Sequence, residues 1–120
     1  TDLRDIALAC VEGRLDGLFI RWRDEASCTV VLAARGYPAK PVTGDKIEGL
    51  DRAAAHRDVF IYHAGTAEAD GAIVTSGGRV LGVTGFGEDL AAARETAYEA
   101  ADQIEFEGAY CRRDIGHRAL

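Results

Sequence analysis

The stretch Ala72-Ile73-Val74-Thr75-Ser76-Gly77-Gly78-Arg79-Val80-Leu81-Gly82-Val83-Thr84 decides how this chain folds. β-Branched and apolar residues fill both ends, as strands prefer, and Ser76-Gly77-Gly78 interrupts them. Residues 71–85 therefore read as a β-hairpin, with the two glycines supplying the positive φ angles of a tight turn. Gly82 in the return strand marks a bulge or a close approach by another backbone. Just beyond, residues 88–105 predict the clearest helix of the chain. Leu90, Ala93, Ala97, Ala101 and Ile104 share one face, and Glu88 and Asp89 stand at the start, where the helix dipole favours carboxylates. The alanine-rich face implies close packing on a sheet.

Towards the N-terminus, residues 18–23 and 27–34 alternate or cluster apolar side chains and predict a second hairpin across Asp24-Glu25-Ala26, with Val30, Val31 and Leu32 on an inner strand. Residues 2–12 predict a short helix with Asp2 and Asp5 in its first turn and Gly13 placed to stop it, too short to be stable alone. Residues 35–49 form a loop punctuated by Gly36, Pro38, Pro41, Gly44 and Gly49; loops of that length in compact domains are often functional. Residues 50–57 read as a short helical turn. Residues 58–63 read as a third strand, with Val59 and Ile61 on one face and Phe60 and Tyr62 on the other, and residues 108–116 as an extended tail. Consecutive hairpins and one long helix predict an α+β fold, an antiparallel β-sheet with helices packed on one side.

The chain has 120 residues, 48% hydrophobic and 28% charged, which suits one soluble domain with a single core. No apolar run is long enough to span a membrane, and no leader is visible. The start at Thr1, inside a helical pattern, reads as a cut in a longer protein. A formal net charge of −6 disfavours nucleic acid as a partner. Arg112, Arg113 and Arg118, with His117 among them, make a local basic patch suited to a small anion. Cys10, Cys28 and Cys111 form no Cys-x-x-Cys pair and read as small buried thiols in a reducing, cytoplasmic setting.

Arg112 and Arg113 are the leading binding candidates, because a guanidinium fork matches phosphate bidentately, although the residues by themselves read first as surface arginines. Neighbours in an extended segment point opposite ways, so at most one faces a given site, and the other is solvated or paired with a carboxylate such as Asp114. Arg79, just after the glycines, stands at a sheet end within reach of a ligand. Gly77-Gly78 does not join a strand to a helix, so it is no phosphate loop of the P-loop or dinucleotide kind. His63 closes a strand, where a histidine can serve as an acid–base group, but with no nucleophile or carboxylate at a diagnostic spacing it is read as hydrogen-bonded into its loop, with Gly65 making the turn. Tyr37 either lines a pocket or packs under its loop. His56, His63 and His117 lack the spacing of metal ligands, and no metal site is expected in these residues.

Taken in order, Glu12-Gly13-Arg14-Leu15-Asp16-Gly17, Gly36-Tyr37-Pro38, Gly44-Asp45, Gly49-Leu50, His63-Ala64-Gly65-Thr66, Gly77 to Thr84, Phe106-Glu107-Gly108 and Arg112 to Gly116 resemble the C-terminal domain of the glycinamide ribonucleotide synthetase (phosphoribosylamine–glycine ligase) family across almost the whole chain. Two places depart from that pattern. Pro41 and Thr43 stand where the family has an aromatic residue and a lysine, and Cys111 stands where it has an aromatic residue.

The resemblance implies an α+β C-terminal domain like that of ATP-grasp ligases, with residues 1–17 the tail of the upstream ATP-grasp domain and 18–120 the C-terminal domain. It further implies a purine-biosynthesis ligase that joins glycine to 5-phosphoribosylamine with hydrolysis of ATP, through glycyl phosphate. Magnesium or manganese would neutralise the phosphoryl group. ATP and Mg would be bound by the upstream domains, so this piece alone would hold no catalytic residue and have no ligase activity. Arg112 or Arg113 would hold the ribosyl 5-phosphate, with Arg79, His63 and Thr66 near the same pocket. The alternative is a stand-alone module that binds a phosphorylated metabolite through Arg112, Arg113 and Arg79.

Overall fold

The computed structural model describes residues 1–119. In chain order it contains α1 (Leu3–Val11), β1 (Ala26–Ala33), α2 (Leu50–Ala54), β2 (Val59–His63), β3 (Thr66–Ala69), β4 (Ala72–Thr75), β5 (Arg79–Gly87) and α3 (Leu90–Ala101), with 3₁₀ turns at Leu15–Gly17 and His117–Ala119. The main sheet is antiparallel in the order β1-β5-β2, and β3 with β4 makes a separate two-stranded ribbon. This is the predicted α+β architecture, with α3 laid across one face of the sheet.

The close approach of α3 is written into two residue types. Alanines 93, 97, 100 and 101 line its buried face, and β5 opposes them with glycine. A Cβ at Gly85 would stand 2.4 Å from Ala97 N and 2.5 Å from Ala93 O, and one at Gly87 would stand 2.5 Å from Ala93 N. Helix backbone thus rests directly on strand backbone. Val30, Leu32, Leu81 and Val83 fill the core around that contact, each contributing about 1.5–3 kcal/mol by leaving water. Asp89 caps the helix, its Oδ1 accepting the Ala92 N–H at 2.8 Å. The helix stops at Ala101, short of the expected 105, yet Ile104 remains buried in the following turn.

Four expectations are corrected. First, β4 and β5 are not a hairpin. β5 is the central strand, and its two sides are occupied by β1 and β2, so β4 pairs back onto β3. The tight turn is Asp70-Gly71, both with positive φ (50° and 74°), whereas Gly77 and Gly78 have none. Asp-Gly between short strands is the signature of a two-residue hairpin turn, and β3 was not expected. Second, residues 18–23 form no strand. β1 pairs with β5, and the 18–23 segment is tied instead to the N-terminus, the Thr1 ammonium donating to Arg21 O at 2.9 Å and Arg21 N–H donating to Thr1 Oγ1 at 2.7 Å.

Third, the sheet irregularity lies at Val80 rather than Gly82. The register steps from Leu32↔Leu81 to Ala33↔Arg79, leaving Val80 as the extra residue, while a Cβ at Gly82 would make only ordinary contacts with Thr29 Cγ2 at 3.5 Å and Tyr62 Cβ at 3.9 Å. Fourth, Cys10 is exposed; only Cys28 is buried, and Cys111 is half-buried.

The remaining elements follow the sequence. α1 is capped by Asp2, whose Oδ1 accepts the Arg4 N–H at 2.8 Å, and Gly13 follows it at φ 65°. Its apolar residues Leu3 and Val11 are 76% and 85% exposed. The loop 35–49 is pinned by bridges from Lys46 to Val74 and from Glu48 to Glu105. The tail meets the edge of β1 through Ala33 and Tyr110, which exchange hydrogen bonds of 2.7 and 3.0 Å. Among the described residues, no helix is long and apolar enough to cross a membrane.

Candidate functional site

With α3 on one face, the other face of the main sheet is open. The register brings Thr29 opposite Thr84 and Val31 opposite Gly82 on one side of β5, and Phe60 opposite Thr84 and Tyr62 opposite Gly82 on the other. Thr29 and Thr84 share a 2.8 Å hydroxyl hydrogen bond, and Gly82 keeps the floor low beside them. The loop after β1 folds over one end of this floor. Its Tyr37 ring lies against Gly78, where a Cβ would come within 2.4 Å of Tyr37 Cδ2; glycine at 78 is what admits the ring. The loop is anchored at its root by Ala34 N–H to Gly78 O at 2.8 Å and Val42 N–H to Arg35 O at 2.8 Å.

Two adjoining cavities result. The larger, about 800 Å³, lies between the Tyr37 loop, Tyr62 and the 76–78 turn. The smaller, about 320 Å³, lies between the same loop and the tail residues Tyr110, Cys111 and Arg112. Thr29, Val31, Tyr37, Pro38 and Arg79 line both.

Arg79 is at the junction because of the bulge. Strict alternation from Leu81 would turn it to the helix face; the extra residue Val80 delivers it to the open face instead. It is exposed, and among the described residues it joins no ion pair. Arg112 lines the smaller cavity but carries its own counter-ion: Nε donates to Asp114 Oδ1 at 2.8 Å and Nη2 to Oδ2 at 2.5 Å. That fork holds the Asp114 carboxyl below the usual carboxylate range.

Arg113 points the other way. It pairs with Asp102 of α3 at 2.7 Å and lies over the Tyr98 ring at 5.6 Å, outside both cavities. His63 and Thr66 are bonded to one another, Nδ1 to Oγ1 at 2.9 Å, and His63 borders a separate depression of about 450 Å³ beside α2. Only their loop neighbours Ala64 and Gly65 reach the large cleft. The structure thus unites Arg79 and Arg112 and leaves Arg113, His63 and Thr66 elsewhere. Tyr62 and the Thr29–Thr84 pair join the site without having been candidates. The two-residue period of β2 carries the signal for Tyr62, since it is the face opposite Val59 and Ile61. Burial pushes the Cys111 thiol at the cavity wall above its ordinary value of 9.0.

The family described as Phosphoribosylglycinamide synthetase, C domain, matches residues 27–118. Over its whole length the chain is 49% identical to the Phosphoribosylamine–glycine ligase of Synechocystis sp., of which it covers 29%. It is 50% identical, over 99% of its length, to that of Mesorhizobium japonicum, of which it covers 28%. The chain therefore spans little more than a quarter of the curated relatives it matches. The crystal structure of Phosphoribosylamine–glycine ligase from Thermotoga maritima aligns with 91% of the chain at a TM-score of 0.72 and 40% identity, over 27% of its own length. Sequence and fold agree over most of the described residues, and the chain belongs to the phosphoribosylglycinamide synthetase C-domain family.

Proposed function

We propose that the full-length protein carrying this chain is a phosphoribosylamine–glycine ligase of purine biosynthesis, and that this domain closes one side of its active site. In that reading residues 1–17 are the tail of the upstream ATP-grasp domain and 18–120 the C-terminal domain. The exposed Leu3 and Val11 of α1 fit a helix whose packing partner lies upstream. ATP, its magnesium and the glycyl-transfer chemistry belong to those upstream domains. The 120 residues contribute binding and shape, and have no ligase activity by themselves. A cytoplasmic location suits three cysteines that are all free.

The observation that carries the reading is the unpaired Arg79 guanidinium at the junction of two cavities, one of which also has Arg112 in its wall. Two forks can bracket a phosphate monoester, while the larger cleft, floored by threonine hydroxyls and walled by Tyr37 and Tyr62, takes a sugar. Arg79 is thereby the first anion contact. Arg112 is the second and shares itself with Asp114.

The test is steady-state kinetics of the full-length ligase. Arg79→Ala and Arg112→Ala each remove a charge-assisted hydrogen bond of about 1.5–3 kcal/mol. KM for phosphoribosylamine rises roughly 10- to 100-fold, and KM for ATP stays within about twofold. Unchanged KM for phosphoribosylamine in both variants rules out the phosphate role.

A further inference from the structure

The side chain of Arg112 reaches the smaller cavity, but its backbone is held from the opposite face of the sheet. Four hydrogen bonds run from α3 to the short turn 112–115. Tyr98 donates its hydroxyl proton to Arg112 O at 2.7 Å, and the Tyr98 hydroxyl oxygen accepts the Ile115 N–H at 3.1 Å. Arg94 donates from Nη2 to Arg113 O at 2.8 Å and from Nε to Ile115 O at 2.7 Å. The Tyr98 ring is itself gripped between two cations, with Arg94 4.9 Å and Arg113 5.6 Å from its centroid, and Arg113 is tied back to Asp102 at 2.7 Å. The four hydrogen bonds all go to tail backbone, and the remaining contacts hold the ring or the Arg113 side chain. None uses the Arg112 guanidinium, which is left to Asp114 and the cavity.

We infer that Tyr98 and Arg94 are positioning residues for Arg112: α3 clamps the carbonyls of the turn so that the guanidinium is presented to the anion across the sheet edge. This rests on the reading of Arg112 as a phosphate contact. The clamp is specific in its chemistry. A tyrosine hydroxyl that both donates and accepts brackets the turn at residues 112 and 115, and an arginine fork, which lysine cannot reproduce, reaches two carbonyls at once. The seating of α3 on Gly85 and Gly87 sets how far those side chains must reach.

The experiment compares Tyr98→Phe, Arg94→Lys, Arg112→Ala and the double variant Tyr98→Phe/Arg112→Ala in the full-length ligase. Tyr98→Phe keeps the ring and its cation contacts and deletes only the hydroxyl. KM for phosphoribosylamine is expected to rise about 5- to 10-fold in Tyr98→Phe and in Arg94→Lys, with KM for ATP and for glycine unchanged. The double variant is expected to be no worse than Arg112→Ala alone, because the clamp acts through that residue. A Tyr98→Phe enzyme with a lower Tm but an unchanged KM, while Arg112→Ala raises KM, assigns Tyr98 to stability alone and overturns the inference. So does a double variant whose effects multiply. If Arg112→Ala leaves KM unchanged, the phosphate role of Arg112 and this inference fall together.

Discussion

Gly82 and Gly85 lie three residues apart on the same strand, and replacing each by alanine separates two kinds of glycine. At Gly85 the new methyl would sit 2.4 Å from Ala97 N, 2.5 Å from Ala93 O and 2.9 Å from Ala97 Cα. All three are backbone atoms of α3, so no rotamer change relieves the clash. Bringing the shortest contact to an ordinary 3.4 Å requires α3 to retreat by about 1 Å. A gap of that size forfeits between a quarter and a half of the dispersion energy of each contact along the helix face. The cost of Gly85→Ala is therefore about 3 kcal/mol, the upper end of what overpacking usually causes. At Gly82 the methyl makes only ordinary contacts, 3.5 Å to Thr29 Cγ2 and 3.9 Å to Tyr62 Cβ, and its backbone is not in the left-handed region. Gly82→Ala leaves stability within about 0.5 kcal/mol or raises it slightly, since alanine narrows the unfolded ensemble. Urea unfolding followed by far-UV circular dichroism measures both. Equal midpoints for the two variants, with unchanged slopes, would refute the claim that α3 rests on strand backbone.

Burial pushes the Cys28 and Cys111 thiols above their ordinary 9.0. Their contribution to stability is thus intact below pH 9.0 and is lost as pH rises from there through the raised values, because the unfolded chain ionises first. The urea midpoint is expected to drop as pH rises above 9.0, less steeply in Cys28→Ala; identical slopes would remove the buried thiol as a cause. Gly71 has open space around it but φ +74°, so Gly71→Ala costs roughly 1–2 kcal/mol through backbone strain alone, while Gly71→Asn costs less because asparagine tolerates that region. Thermal melts of the two variants give the order, and an alanine variant as stable as the parent would contradict it.

What the sequence made legible was whatever depends on neighbours along the chain. Periodicity and end residues place α1, β2 and α3, residues 50–57 read as the helical turn that contains α2, and the alanine stripe on α3 announces a close sheet. What was not legible was partnership. Residues 18–23 alternate as well as β2 does, but β1 pairs with β5 instead of with them. The glycines at 77 and 78 looked like a turn, yet their use is to carry the chain from one sheet to the other and to admit the Tyr37 ring. The site shows the same division. Arginine at 79 and 112 could be nominated from chemistry. That a single bulged valine turns Arg79 to the open face, and that Arg113 belongs to α3, follows only from register and three-dimensional contact. The Asp70-Gly71 turn signal is present in the sequence, but the longer glycine run at 77–78 competes with it.

The tail joins the sheet through the Ala33–Tyr110 bridge and α3 through four side-chain hydrogen bonds and the Arg113–Asp102 ion pair, and among the described residues it has no longer ladder of its own. Its amides are thus free to exchange with solvent by a local opening that leaves the sheet intact. Each such opening withdraws Arg112 from the cleft; if the cleft holds the anion proposed above, its apparent affinity falls by the fraction of time the tail is open. Binding and tail closure are two sides of one equilibrium: an occupied cleft slows exchange at the Tyr110 and Ile115 amides, and a looser tail weakens the cleft.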